Sequence, residues 1–404
     1  MQINSSYIMV DNAKNLDLAL LNLRNSSKIA VDTESSGYFT YYARVCLIQI
    51  TAKLKNYIID PLRIKDLSSL NEIFKNPEIL KLFHSASDDI KALKKDFGFE
   101  FNNVADTMLS SRYLGMEHNS LTSLVELYHN KHLAKEFQKS NWENRPLQRD
   151  QLQYAAMDTA YLESIWEKME KELRDRGLYE EAFSEFEFVS QEEPAAKEGD
   201  GFQLARFPDV NNLTPFDRGK LFQILQFREE KAKKINRAPF RVLNNDAISR
   251  LISTEMKEEN YTNTLGKKDG SELFQLMKET VIEPIEASEL NKRIGEELEG
   301  EEKDKFRRLK KWKEHIQKSR RMEHSLLPSS KQLIQILKSN ITDLDSLRNL
   351  KIFSEWRVKN YGPSIIAVLN GNPFEPHIPP NLPMVNSKRG LLPKNRKRKP
   401  ESED

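Results

Sequence analysis

Short apolar runs of strand length alternate with stretches of helical spacing over the first 165 residues of the chain. Lys28-Ile29-Ala30-Val31 ends in Asp32-Thr33-Glu34, Val45-Cys46-Leu47-Ile48-Gln49-Ile50 forms a second run, and Tyr57-Ile58-Ile59 closes on Asp60-Pro61. Shorter runs at Ile79–Phe83 and Val104-Ala105 sit between helical stretches at Leu67–Phe74 and Ile90–Phe97. Three close strands followed by strand–helix alternation predict an α/β domain, a sheet layered with helices. Downstream of Arg149 the spacing is helical through Tyr154, Leu162, Ile165 and Leu173.

Gln191 to Gly201 is acidic, rich in small residues and aperiodic, which marks a linker over 191–208 and bounds a first domain at 1–190. From Thr214 the helical spacing returns and repeats itself. A shift of 85 residues pairs Ile224 with Leu309, Phe227 with Trp312, Arg228 with Lys313, Glu229 with Glu314, Ile248 with Leu333 and Leu251 with Ile336. Two related helical modules are therefore expected, at 209–287 and 288–372. The remainder, 373–404, is rich in proline and basic residues and reads as a disordered tail.

Composition narrows the class. At roughly 150 residues per domain, 404 residues allow two or three domains. Only 14 glycines favour helices over a turn-rich sandwich. Mean hydropathy is −0.67, and no run approaches the roughly 18 apolar residues of a membrane helix. The N-terminus lacks the basic and apolar regions of a signal peptide. The single cysteine, Cys46, excludes an internal disulfide and a four-thiolate metal site. A reducing, cytoplasmic setting is the expectation. Lys and Arg number 63 against 61 Asp and Glu, so the net charge of +2 indicates no partner.

Three groups of residues carry candidate chemistry. Asp32 and Glu34 are two apart on an extended segment and emerge on one face. They are either a solvated acidic strand end or a pair that needs a cation between them. Asp88 and Asp89 stand where a strand meets a helix, a place where acids also serve as caps. Tyr154 and Asp158, four apart on a helix, share a face as a catalytic pair or as a structural hydrogen bond. Together they offer hard oxygen ligands without thiolates or imidazoles, which suits magnesium or manganese. Two such ions would activate a water and stabilise the leaving oxygen in phosphodiester cleavage. A phenol would orient that water. His129 and His132 have no third zinc ligand nearby. No GxxxxGK loop is present, so nucleoside triphosphate is not an expected substrate.

Val31-Asp32-Thr33-Glu34, with Tyr41-Tyr42-Ala43-Arg44-Val45-Cys46-Leu47-Ile48-Gln49-Ile50, resembles the opening of a ribonuclease D-type 3′–5′ exonuclease. So do His84-Ser85-Ala86-Ser87-Asp88-Asp89-Ile90, Val104-Ala105-Asp106-Thr107, Ser140 to Leu147, and Gln151 to Asp158. The resemblance implies the tyrosine-type four-acid branch, whose fold is an RNase H-like mixed sheet flanked by helices. It implies that Asp32, Glu34 and Asp158 hold one metal ion, that Asp32 and Asp89 serve a second, and that Tyr154 positions the attacking water. Asp88 competes with Asp89 for the second motif. Substrate contacts are implied at Tyr41, Tyr42, Arg44, Gln49, His84 and Arg145, although His84 also reads as structural. Tyr38, Phe39, Tyr41 and Tyr42 either stack on terminal bases or pack. The family's Ser-Asp-Trp reads Ser140-Asn141-Trp142 here, which puts any charge-dependent role at 141 in doubt.

Leu221 to Ala232 with Asn236-Arg237-Ala238-Pro239-Phe240 resembles the helicase-and-RNase-D C-terminal (HRDC) domain, an all-α bundle, over about 211–286. The second module would be its diverged copy. Lys303, Lys305, Arg307, Arg308, Lys310, Lys311, Lys313, Lys318, Arg320 and Arg321 form a basic helix there, either solvated or phosphate-contacting. Lys394 to Lys399 reads as a nucleic-acid arm or a localisation signal. The expected function is a monomeric metal-dependent exoribonuclease acting on transfer RNA precursors with a single-stranded 3′ end. The rivals are an exonuclease for DNA or broader RNA classes, and a decayed binder.

Overall fold

The protein is described from a computed structural model covering residues 6–133, 136–194, 204–290 and 298–373. The basic tail and the middle of the expected linker lie outside the described residues. An edge strand, β1 (Tyr7–Val10), leads into α1 (Ala13–Leu23), whose start is capped by the Asn12 side chain. Next come β2 (Lys28–Ser35), β3 (Val45–Ala52) and β4 (Lys55–Ile59), paired antiparallel. The domain continues through α2 (Asn71–Phe74), β5 (Leu80–Phe83), α3 (Ala86–Phe97), β6 (Val104–Asp106), α4 (Thr107–Tyr113) and α5 (Leu121–His129). The strands form one six-stranded mixed sheet in the order β1-β4-β3-β2-β5-β6. β1 runs parallel to β4, and β5 runs parallel to both β2 and β6.

All eight residues of β3 are buried, the mark of a strand covered on both faces. Ile29, Val31, Ile48 and Ile50 face α1 and α3, through Leu16, Leu20, Ile90 and Leu93. Ala30, Leu82 and Ala105 face the other way, toward Leu162, Ile165 and Trp166. The five sequence-predicted strands are all present. β1 went unpredicted because its four residues alternate too briefly to signal, and three of them are not buried.

The helical stretch after Arg149 is three helices, α6 (Arg149–Ala160), α7 (Leu162–Asp175) and α8 (Tyr179–Ser190). Gly177, at φ +63°, turns the chain between the last two. Beyond the linker lie α9 (Pro215–Ile235), α10 (Pro239–Val242), α11 (Asn245–Ser253), α12 (Glu258–Leu265), α13 (Lys267–Glu279) and α14 (Ala287–Leu290). Then follow α15 (Gly300–Arg320), α16 (Ser330–Lys338), α17 (Leu344–Asn349) and α18 (Glu355–Leu369). The 85-residue shift lays α9 on α15 and α11 on α16 end to end. Both long helices stop at a left-handed residue, Asn236 and Arg321. The equivalenced Ile224 and Leu309, and Ile248 and Leu333, are all fully buried.

The basic character of α15 is partly internal. Lys313 is buried and donates to the Pro328 carbonyl at 2.7 Å, and Arg320 is buried against Glu181 of α8. Lys305 and Arg307 are paired with Glu301 and Asp304. A continuous phosphate-contacting face along this helix is therefore corrected: Lys313 and Arg320 hold the fold together.

Candidate active site

β2 delivers the first two acids. Asp32 stands opposite Gln49 and Glu34 opposite Leu47 in the β2–β3 ladder, and a register shift after Glu34 ends the regular pairing. α6 lies across β3, β4 and β2 on that face. Its Ala155 and Ala156 are fully buried against Cys46 and Ile58, and their small side chains let the helix approach the sheet closely. Tyr154 and Asp158, flanking those alanines, are carried to the acids of β2. Carboxylate oxygens of Asp32, Glu34 and Asp158 all lie within 4.8 Å of one another.

The fourth acid arrives by another route. Ser85, at φ +73°, turns the chain from β5 into α3, and Asp89 sits in that helix's first turn. Thr33 Oγ1 donates to Asp89 Oδ1 at 2.5 Å, holding the carboxyl beside the strand that carries Asp32. Asp88 is exposed, so the geometry places Asp89 rather than Asp88 with the cluster.

The electrostatics follow from crowding. Burial, then the charge of Asp158, push the Asp32 carboxyl well above the usual carboxylate range. Glu34 is pushed up by burial and then by Asp32, Asp158 and Asp89. Asp89 is raised by burial and by Asp32. Asp158 is pushed up to about 7 by burial, against the hydrogen bond from Tyr154. Four acids that disfavour their own ionised forms, with no side-chain cation perturbing them among the described residues, make a site fitted to bind a metal cation. Burial and the three nearest acids also hold the Tyr154 phenol protonated, so it enters any reaction as a hydrogen-bond donor.

Tyr154, Asp32, Glu34 and Asp158 line a cavity of about 340 Å³ together with His84, Gln138 and Leu133. His84 Nδ1 lies 3.0 Å from Thr107 Oγ1, and its buried Nε2 has no hydrogen-bond partner. Burial holds the His84 imidazole below its ordinary range, against the opposing charge of Asp106. A larger cavity of about 610 Å³, between Lys53 and Lys168, shares no residue with this one.

The other expected substrate contacts distribute differently. Arg145 is a strut: Nε and Nη2 donate to Asp60 at 2.6 and 2.9 Å, and further bonds reach the carbonyls of Cys46 and Trp142. Asp60 is fully buried, so the arginine is consumed by neutralising it. Gln49 is also corrected: it is 0% exposed and does not line the cavity. Arg44 pairs with Glu143 at 2.7 Å, and Tyr41 donates to Glu229 Oε1 at 2.5 Å. Tyr42 is exposed outside the cavity. Asn141 keeps a local role, its side-chain carbonyl accepting from the Glu143 amide at 3.2 Å. His129 bonds Ser164 at 2.8 Å, and the acid triplet is the single metal-compatible cluster among the described residues.

Two positioning residues escaped the sequence reading. Thr33 is one. Asp106 is the other: it accepts from the amides of Ser85, Ala86, Met108 and Leu109, so one carboxylate fixes both the turn that presents Asp89 and the start of α4. An aspartate opening a helix gives the capping signal, but its second pair of donors, about twenty residues back in sequence, gives none.

Residues 7–174 match the 3′-5′ exonuclease domain family, and residues 302–369 match the HRDC domain. The chain carries a 3′-5′ exonuclease domain followed by an HRDC domain. The HRDC match falls on the second helical module, which sequence reading took for the diverged copy. The chain is 28% identical to ribonuclease D of Haemophilus influenzae over 278 residues, covering 67% of this chain and 69% of that one. It is 37% identical to the exosome complex exonuclease RRP6 of Saccharomyces cerevisiae over 167 residues, 41% of this chain but only 23% of that relative's length. The crystal structure of Escherichia coli RNase D, at 22% identity, shares the fold with a TM-score of 0.60 over 91% of this chain and 100% of that one. No helix among the described residues is long and apolar enough to cross a membrane.

Proposed function

We propose that the chain is a metal-dependent 3′–5′ exoribonuclease that removes nucleoside 5′-monophosphates from RNA. The observation that carries this is the convergence of Asp32, Glu34 and Asp158 within 4.8 Å, with Asp89 beside them. Asp32, Glu34 and Asp158 would hold one magnesium or manganese ion, and Asp32 with Asp89 a second. Bound there, the ions supply Lewis acidity for hydrolysis of a phosphodiester at neutral pH. The chain's own residues do the rest. The Tyr154 phenol orients the attacking water by a hydrogen bond, and neutral His84 offers its unpartnered Nε2 to the substrate. A cavity of about 340 Å³ has room for a single-stranded end and not for a duplex.

The 28% match to ribonuclease D extends past the nuclease domain and favours transfer RNA precursors as substrates. The two helical modules, the first of them also taken as HRDC-like, would hold the structured body of such an RNA. A second reading, trimming of ribosomal precursors or other RNA classes, is favoured by the 37% match to an exosome exonuclease. We take the protein to act as a cytoplasmic monomer. The deciding measurement is a time course on a 5′-labelled transfer RNA precursor with a 3′ extension, in magnesium, in manganese and in EDTA. A ladder that shortens from the 3′ end and stalls near the mature terminus supports the first reading. Continuation through that terminus supports the second, and intact RNA in both metals leaves only a binder.

Tyr154→Phe is expected to lower kcat about 10²-fold with KM for a short oligonucleotide little changed. A wild-type kcat would reduce the phenol to packing against Trp142, whose ring lies 6.3 Å away.

The raised carboxyls predict opposite pH trends for metal affinity and metal-free stability. Ion binding displaces protons, so Mn²⁺ affinity measured by calorimetry should strengthen about ten-fold per pH unit, per proton displaced, up to about pH 7. Without metal, the folded protein holds protons that the unfolded chain releases above pH 4. Its stability should therefore fall as pH rises through that same window. A flat affinity profile would remove Asp158 from the ion site.

A further inference from the structure

We propose a second nucleic-acid site: an aromatic and cationic platform, built jointly by the exonuclease domain and the first helical module, that holds the single-stranded RNA just upstream of its 3′ end. The proposal rests on the exoribonuclease reading and names the strand's path outside the cavity.

The loop of residues 36–44 runs directly from the strand that carries Asp32 and Glu34. It is held from outside by the C-terminal end of α9 and by α10. Ala238 N donates to Phe39 O at 2.9 Å, Tyr42 N to Asn236 Oδ1 at 2.9 Å, and Arg241 Nε to Tyr38 O at 2.8 Å. Left-handed Asn236 ends α9 and so sends the chain back across the loop. Such docking adds to the loop's own bonds, Ser36 N to Arg44 O at 3.0 Å and Phe39 N to Ser36 O at 2.8 Å, and fixes its rings from outside.

The rings and charges on this junction are of one kind. Tyr38, Tyr42 and Phe240 are 38%, 56% and 43% exposed. Tyr38 and Phe240, one from each module, lie 5.1 Å apart between centroids. Three cations surround them: Arg241 lies 4.8 Å from the Tyr38 ring and 3.8 Å from Phe39, Lys139 is 5.9 Å from Tyr38, and Lys233 is 5.8 Å from Tyr41. Among the described residues none of the three cations forms an ion pair, while Glu143 pairs with Arg44 and Glu229 accepts from Tyr41. Exposed rings beside such cations match the two faces of a single strand, which offers bases to stack and phosphates to neutralise. Sequence-tolerant stacking suits an enzyme that must accept each successive base.

The platform is also continuous with the site. Gln138 lines the acidic cavity, and the next residue, Lys139, reaches the Tyr38 ring. A strand leaving the cavity past Gln138 meets Tyr38, then Phe240.

The test is binding of fluorescein-labelled single-stranded RNA, a trimer and a 12-mer, to the full chain in EDTA. Wild type should bind the 12-mer more tightly than the trimer. Phe240→Ala should raise the 12-mer Kd about ten-fold with the thermal midpoint unmoved, removing most of that length advantage. Lys139→Ala should flatten the slope of log affinity against log salt by about 0.7. Phe216→Ala, another exposed aromatic beside a lysine but at the opposite end of α9, should keep the wild-type Kd. A wild-type Kd for the 12-mer in Phe240→Ala overturns the platform. Hydrolysis by wild type in magnesium is scored separately, so loss of the exoribonuclease reading and loss of the platform give different results.

Discussion

Asp32→Asn is expected to abolish 3′-end hydrolysis, by a factor of roughly 10³ or more, and at the same time to make the metal-free protein more stable. Both effects follow from one geometry. Asp32 lies beside Asp158 and perturbs both Glu34 and Asp89, so it is the acid shared by every part of the cluster. Its neutral analogue keeps the shape and loses the charge a divalent ion requires. The same change removes a carboxyl whose ionisation burial and the neighbouring acids disfavour, and relief of ~1 kcal/mol would raise Tm by about 2–4 °C in a domain of this size. Wild type should gain Tm on addition of Mn²⁺, and the variant should gain little. Thermal melts with Mn²⁺ and with EDTA, beside a cleavage assay, check all of this. Equal Tm in EDTA would mean that the acids are not repelling one another, and retained cleavage would move the ion site elsewhere. A stability gain coupled to loss of activity is what separates functional crowding from a structural acid cluster.

Five of the six strands and the four acids were legible because each depends on neighbours in sequence. An apolar run ending in Asp-x-Glu sets both the strand and the common face of its acids, and a four-residue step on α6 does the same for Tyr154 and Asp158. That these faces meet was not legible from spacing, and the family resemblance supplied it. The misreadings fell on residues whose partners lie far away. Arg145 looked like a substrate contact, but its partner is Asp60, 85 residues away. Gln49 looked polar enough to reach substrate, yet it is fully buried directly across the ladder from Asp32. Tyr41 belongs to a loop whose fastening comes from α9, 188 residues along the chain. The repeat of the helical modules was readable at the level of apolar spacing. The way each module docks onto the exonuclease domain was not.

That docking makes a second large prediction. Arg320→Met alone should destabilise the protein by about 3–5 kcal/mol, and so should Glu181→Gln, because each leaves its partner buried without compensation. Arg320 and Glu181 are 2% and 1% exposed at their side chains, with Nη2 2.5 Å from Oε2. The Tyr361 hydroxyl accepts a further bond from the same guanidinium. A second pair, Arg357 with Glu185 at 2.8 Å, lies on the same helix of the exonuclease domain, and Ser354 also donates to Glu185. Arg320 reads in sequence as one more base on a charged helix, and nothing local in the sequence marks Glu181 and Glu185 as buried. Their burial means that the HRDC module is fixed to the nuclease and does not swing on a tether. The double variant Arg320→Met/Glu181→Leu should recover most of the loss, since a matched apolar pair avoids the cost of desolvating two charges. Urea unfolding of wild type, Arg320→Met, Glu181→Leu and the double variant forms a closed cycle that measures the coupling directly. Single variants that each cost under about 1 kcal/mol would place the pair in contact with water and free the module to move.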